Sequence, residues 1–386
     1  MAPAANGRLA TVSVFERFLH RLPVRRFGSR EDVSGLDAGS ARHLRRVEGT
    51  LVAVAAVLAV LGFLAYYLPV YRLPHLFPAA SVTVPLLGAV RIPWGELVWA
   101  VLLTTVELLL LTLLNLVGVH EIAVATGFLT AETKADRAAA LLSIGLEKKS
   151  SDVTRYGINP FEGLHPSMLF LFNLVVRLKG FLANQAIRYL TRLLLGRYAV
   201  RALLDFAGVP LYMAINAYAA RAVLREGKVV LMGPGAIRLL ARRLAGLASS
   251  PDERTLVYDT LQYIAVSKRD FHRNHYLLTK EVLELWQIPA ETRHPLPTDY
   301  LERFAAVSPQ GRAVCRALIL AGFILDGQLS WRERLRLRRL RGLGVLSARP
   351  AEVKRHLRAF LGGGGLPLDG LPTSAAPITP GPNQYR

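Results

Sequence analysis

The sequence predicts an all-α membrane protein, with two transmembrane helices and a cytoplasmic helical bundle. Three observations predict it. Two long apolar runs lie in the first third, the excess of basic residues falls beyond them, and the last third holds two similar helical hairpins. The chain is greasy and basic together: 52% of its 386 residues are hydrophobic, yet its formal net charge is +20. A disordered polycation lacks such apolar content. A disulfide scaffold is excluded too, because Cys315 is the single cysteine.

Residues 1–49 form a basic N-terminal segment with nine Lys or Arg. The first span is expected at 50–71, TLVAVAAVLAVLGFLAYYLPVY, which carries no charge. Its length crosses a hydrocarbon core of about 30 Å at 1.5 Å per residue. Tyr66, Tyr67 and Tyr71 gather at its far end, where amphipathic rings favour the interface. Pro69 helps to end the helix. The long segment ahead of this run distinguishes it from a cleaved signal peptide.

The second span is expected at 97–119, LVWAVLLTTVELLLLTLLNLVGV. Trp94 and Trp99 flank its start as interface anchors. Glu107 and Asn115 are its only strongly polar side chains, and the helical pattern runs on toward Leu129. Spans and connecting loop make a transmembrane hairpin over 50–130.

Charge sets the orientation. Loop 72–96 has only Arg72 and Arg91, whereas residues 131–386 hold 37 basic and 20 acidic side chains. The positive-inside rule places both termini in the cytoplasm and the loop outside. The loop's SVTVPLLGAVRIPWG fits either a small hairpin or an irregular cap. Anionic lipid headgroups are the expected partner of the basic surface, at about 1 kcal/mol per Lys or Arg near them. The membrane anchor favours lipid over nucleic acid, which the same charge would attract.

Residues 131–250 are expected to hold juxtamembrane amphipathic helices. KADRAAALLSIGLEKK reads as a short helix, followed by a loop through Gly157, Pro160, Gly163 and Pro166. Over 167–196 a long apolar helix returns Arg177, Arg188 and Arg192 to one face. Such a basic stripe favours the cytoplasmic interface or core packing, with a true span as the alternative. Residues 202–220 are apolar with arginines on both flanks, and Gly208-Val209-Pro210 lies in the middle. A re-entrant hairpin or broken interfacial helix is expected there. VVLMGPG at 229–235 has the outline of a phosphate loop but lacks its third glycine and its lysine, so a helix ending at a Gly-Pro turn is expected instead.

Residues 251–360 make the last helical domain. Within it, 256–288 and 312–344 read as two copies of one hairpin, with Asp270 matching Asp326 and Asn274 matching Ser330. Asn274 and Ser330 suit helix N-caps, and Asp326-Gly327 suits a turn. The step Asp326, Gly327, Ser330, Glu333 resembles the TerB-like helical domain of bacterial tellurite-resistance proteins, over roughly 255–346. LYMAINAYAARAVLREGKVVLMGPG resembles an uncharacterised family of bacterial multi-helix membrane proteins. These resemblances imply a location, the bacterial inner membrane, and a helical domain rather than an activity. Residues 361–386 carry Gly362 to Gly365 near their start and are expected to be a disordered tail.

Glu107 is the sharpest chemical candidate, because a carboxylate in mid-bilayer needs a partner or a water cavity. Thr104, Glu107, Gly118 and Glu121 share one helix face, and with Asn115 form an intramembrane polar stripe. The stripe reads as a contact face between subunits, or as an ion path in an oligomeric transporter or channel subunit. A homo-oligomer or a membrane protein partner follows from the contact reading. Asp270, His272 and His275 are weak metal candidates without an evident fourth ligand; no metal and no cofactor are expected. Arg332, Arg336 and Arg339, on a helix crowded with arginine, are expected to face lipid headgroups. No nucleophile-base spacing is present, and a lipid-directed acid or base at Asp205, Glu107 or His120 has no motif behind it. The expected function is therefore non-enzymatic: a membrane-anchored scaffold or sensor in envelope stress or membrane maintenance.

Overall fold

A computed structural model describes Phe15, 17–24, 35–84, 88–130, Thr133, Tyr156, Ile158, 198–248, 250–268 and 272–366, with only the backbone described at 81–84, 88–92 and 198–208. The expected helix after residue 131, the basic stripe of Arg177, Arg188 and Arg192, the turn residue Asp270 and the tail beyond Leu366 lie outside the described residues.

The described chain is predominantly helical. Helix α1 spans Ala38–Arg72 and α2 spans Trp94–Ala125. Both are long and apolar enough to cross a membrane. Helix α1 starts twelve residues before the apolar run because Asp37 caps it, its Oδ2 accepting from the amides of Gly39 and Ser40. Pro69 lies in the last turns of α1 and cannot donate to the Ala65 carbonyl. The Trp99 indole N–H donates to that carbonyl instead, at 3.1 Å. The loop between the helices is a hairpin, with β1 (Ala80–Val84) antiparallel to β2 (Gly88–Ile92) and Val82 opposite Val90.

Helix α3 runs unbroken over Tyr198–Leu244, with Pro210 and Pro234 inside it. This corrects two expectations. No hairpin or break occurs at 208–210, and no turn occurs at Gly233-Pro234. At 1.5 Å per residue the helix is about 70 Å long. It lies against α1 and α2 from Asn216 to Lys228, and its C-terminal part enters the C-terminal domain.

That domain comprises α4 (Pro251–Lys268), α5 (Arg273–Leu285), α6 (Tyr300–Ala306), α7 (Pro309–Ile324), α8 (Trp331–Gly342) and α9 (Pro350–Ala359). The helices α4, α5, α7 and α8 fall where the two hairpins are expected, but α4 packs chiefly on α7 and α5 on α3. Ser330 caps α8, in a reciprocal box with Glu333. The cap of α5 is His272, not Asn274 as expected. The core packs Leu256, Leu278, Val314, Leu318, Phe323, Leu337 and Phe360 with Ile237, Leu240 and Leu244 of α3.

The glycine run does not begin a free tail. The turn Phe360–Gly364 follows α9, Gly363 takes φ +93°, and its carbonyl accepts from the Leu36 amide at 2.6 Å. Leu366 is buried. The start of α1 is thereby docked on the end of the C-terminal domain.

Candidate functional site

The candidate site is a seam of polar contacts along α3. It begins where α3 meets the apolar helices and ends inside the C-terminal domain.

At its upper end the Asn216 amide donates to Glu107 Oε1 at 2.8 Å. Asn216 is buried, and the Glu107 carboxylate lies over Gly62 of α1, where no side chain blocks it. Elsewhere on α2 the threonines are committed locally. Thr104 donates to the Ala100 carbonyl, as Thr105 and Thr112 do one turn back along their own helix. Asn115 is half-buried one turn before the close packing of Gly118 with Leu224 and Leu51. Within the chain Glu107 thus has an asparagine partner 109 residues away.

One level further along, ion pairs replace amides. Lys228 of α3 is buried and pairs with Glu48 of α1. Glu121 of the polar stripe meets His43 at 3.1 Å. Glu226 reaches forward to His272 Nε2, at 2.8 Å. Because α3 carries Asn216, Glu226 and Lys228, one rigid helix presents polar groups to α1, α2 and α5 in turn.

Inside the domain α5 grips α3. The Asn274 amide donates to the carbonyls of Val229 and Leu325, both at 2.8 Å, and so ties α3, α5 and the end of α7 together. Gly233 makes this possible, because a side chain at that position would occupy the space of the Asn274 amide. The glycine in VVLMGPG thus serves helix packing. Trp286 adds a second tie, donating to the Ala241 carbonyl at 3.0 Å.

The two histidines beside Asn274 are held as structural groups. His272 Nδ1 accepts from the Asn274 amide while Nε2 faces Glu226. His275 Nδ1 accepts from the His272 amide and Nε2 lies 2.8 Å from the Gly322 carbonyl. All four ring nitrogens face partners, which leaves none directed at a metal ion. Among the described residues no group of three or more His, Cys, Asp or Glu side chains is arranged to hold one.

The Asp326–Glu333 step closes around a buried ammonium. Lys268 Nζ lies 2.8 Å from Asp326 Oδ2 and 2.9 Å from Glu333 Oε1, and it donates to the Gln328 carbonyl. Burial raises the Asp326 carboxyl above its ordinary range, and the attraction of Lys268 offsets only part of that.

Beyond it, α8 exposes Arg332 and Arg339. Arg336 behaves differently from the expectation: it is half-buried and donates to the Val266 carbonyl at 3.1 Å, which binds α8 to α4. Its role is packing rather than a free headgroup contact.

A further cluster escaped sequence reasoning. His294 Nε2 is 2.8 Å from Asp259 Oδ1 and its Nδ1 is 2.9 Å from Glu291. The Tyr258 ring stacks on it, and Arg303 meets the other Asp259 oxygen. Burial lowers the tendency of His294 to take a proton, but hydrogen bonds and charge from Asp259 and Glu291 outweigh it, so its pKa is raised. Asn216 and Asp259 sit at unremarkable sequence positions, and only the helix packing brings them to their partners.

No family model, no curated protein and no solved structure matches the chain.

Proposed function

We propose that the protein is a non-enzymatic, membrane-anchored scaffold or sensor, in which α3 couples a membrane hairpin to a cytoplasmic helical domain. One observation carries this reading: α3 is continuous, and its polar groups engage Glu107 at one end and the His272–Asn274 segment at the other. A helix so held transmits displacement or rotation, because packed interfaces switch between discrete arrangements rather than deforming smoothly.

Membrane insertion of α1 and α2 is supported by their exposure. Only 22% of the most apolar window of α1 is buried, and only 6% of that of α2. Val57, Leu61 and Leu68 of α1, with Val98, Val101 and Leu109 of α2, project outward. A core helix of a water-soluble protein buries such residues; an apolar surface of this extent calls for lipid or a partner. The basic bias beyond residue 130 supports an inner-membrane orientation with both termini in the cytoplasm. Arg332 and Arg339 on α8 suit anionic headgroups. The TerB-like reading of 255–346 draws support from the Ser330–Glu333 box and the turn at Gly327, which has φ +69°; that resemblance points the scaffold toward envelope stress or membrane maintenance.

Hydrogen exchange in lipid nanodiscs tests the coupling. Asn216→Leu removes the amide that α3 offers Glu107 without touching α5. If α3 couples the two ends, amide exchange rises in α5 as well as near residue 216. Exchange confined to the neighbourhood of 107 and 216 sinks the sensor reading.

A further inference from the structure

We infer that the first half of α3 is a third membrane crossing, parallel to α2, whose outer face contacts lipid hydrocarbon. The inference rests on the membrane reading of α1 and α2 and goes beyond it.

Contacts along the seam give the register. Asn216 meets Glu107, Leu224 packs on Gly118, and Gly227 packs on Val119 and Ile122. Residue numbers rise together on both helices, so α2 and α3 run in the same direction. Helix α1 runs oppositely: Tyr66 meets Glu96, Gly62 meets Glu107, and Leu51 meets Gly118.

Depth follows from helical rise. Glu96 precedes Glu107 by eleven residues, about 16 Å, which is half of a hydrocarbon core of roughly 30 Å. Asp205 precedes Asn216 by the same eleven residues, so it shares the level of Glu96 at the interface. Arg201 then lies at the level of the outer headgroups, with Arg72 and Trp94. Toward the other face, Lys228 follows Asn216 by about 18 Å and pairs with Glu48 at the opposite interface. Arg201, one of the flanking arginines that in sequence argued against a single crossing, and Asp205 thus fall outside the hydrocarbon.

Between these levels α3 presents an outer face of Pro210, Leu211, Ala214 and Tyr218, all exposed. Leu211 is 57% and Tyr218 74% exposed. That face continues the exposed apolar faces of α1 and α2, and lipid is the occupant that covers all three together. Arg221, about 8 Å below Asn216, is exposed and long enough to snorkel to the inner headgroups.

Cysteine labelling with a membrane-impermeant maleimide in intact cells tests this. Arg91→Cys, Arg201→Cys and Arg338→Cys are each placed in the full chain carrying Cys315→Ser, with Tyr198→Cys as a second reporter of the α3 start. Arg201→Cys labels from the same face as Arg91→Cys and opposite to Arg338→Cys. Labelling of Arg201→Cys with Arg338→Cys, or from neither face, overturns the inference. If Arg91→Cys and Arg338→Cys themselves label alike, the membrane reading fails first. A nitroxide at Leu211→Cys decides the occupant. Relaxation by oxygen but not by an aqueous nickel chelate marks lipid; protection from both marks a second copy on that face and overturns the lipid contact.

Discussion

The Trp99 indole donates to the Ala65 carbonyl, the group that Pro69 leaves without its helical donor. In a low-dielectric surrounding an unsatisfied carbonyl costs about 1–3 kcal/mol. Trp99→Phe is therefore expected to lower the stability of the detergent-solubilised protein by about that amount. In a Pro69→Ala background the restored amide serves the same carbonyl, and the loss shrinks. Thermal unfolding of the four proteins of the cycle checks it; equal losses in both backgrounds contradict it.

Gly233 and Asn274 form a second testable pair. Gly233→Ala forces a methyl group into the Asn274 amide, at a cost of about 1–3 kcal/mol for overpacking. Asn274→Ala loses two buried hydrogen bonds but vacates the space. The double variant should be no less stable than Asn274→Ala alone. Denaturant melts give the answer, and additive losses exclude the proposed contact.

Much of this fold was legible. Uncharged runs and flanking aromatic residues predicted α1 and α2, and hydrophobic period with Asp-Gly and Ser-x-x-Glu signals predicted the positions of α7 and α8. Three features were not legible, for physical reasons. Proline and glycine carry a local signal for a break, yet Pro210 and Pro234 are tolerated in α3, and Gly233 answers to a side chain 41 residues further on. Likewise, Glu107 announced that it needed a partner, but Asn216 carries no local mark of being that partner. His272 displaced Asn274 as the cap because Asn274 is drawn into the α3 contact.

His294 predicts a pH dependence. Its pKa is raised in the folded chain, so its pairing with Asp259 and Glu291 stabilises fully below the unfolded value of about 6.5 and fades as pH rises through the folded value. Stability should thus decline on going from pH 6 toward pH 8, and His294→Gln should flatten that slope. Urea midpoints across this range test it; an unchanged slope in His294→Gln assigns the dependence elsewhere.

Cys315 is expected to be chemically silent. Burial, partly countered by a hydrogen bond from Thr260, pushes its thiol up to about 12. Reaction with a disulfide reagent at pH 8 should be absent in the native protein and stoichiometric once it is unfolded. Rapid native reaction would mean that the core around α7 opens.

The continuity of α3 is the central claim, since both the coupling and the third crossing depend on it. Spin labels at Tyr218→Cys and Arg242→Cys, both exposed positions in α3, measure it directly in the Cys315→Ser protein. Twenty-four residues of unbroken helix separate them by about 36 Å along the axis. A single narrow distance distribution near that value is predicted. A broad or markedly shorter distribution, as from a turn at Gly233-Pro234, contradicts the account.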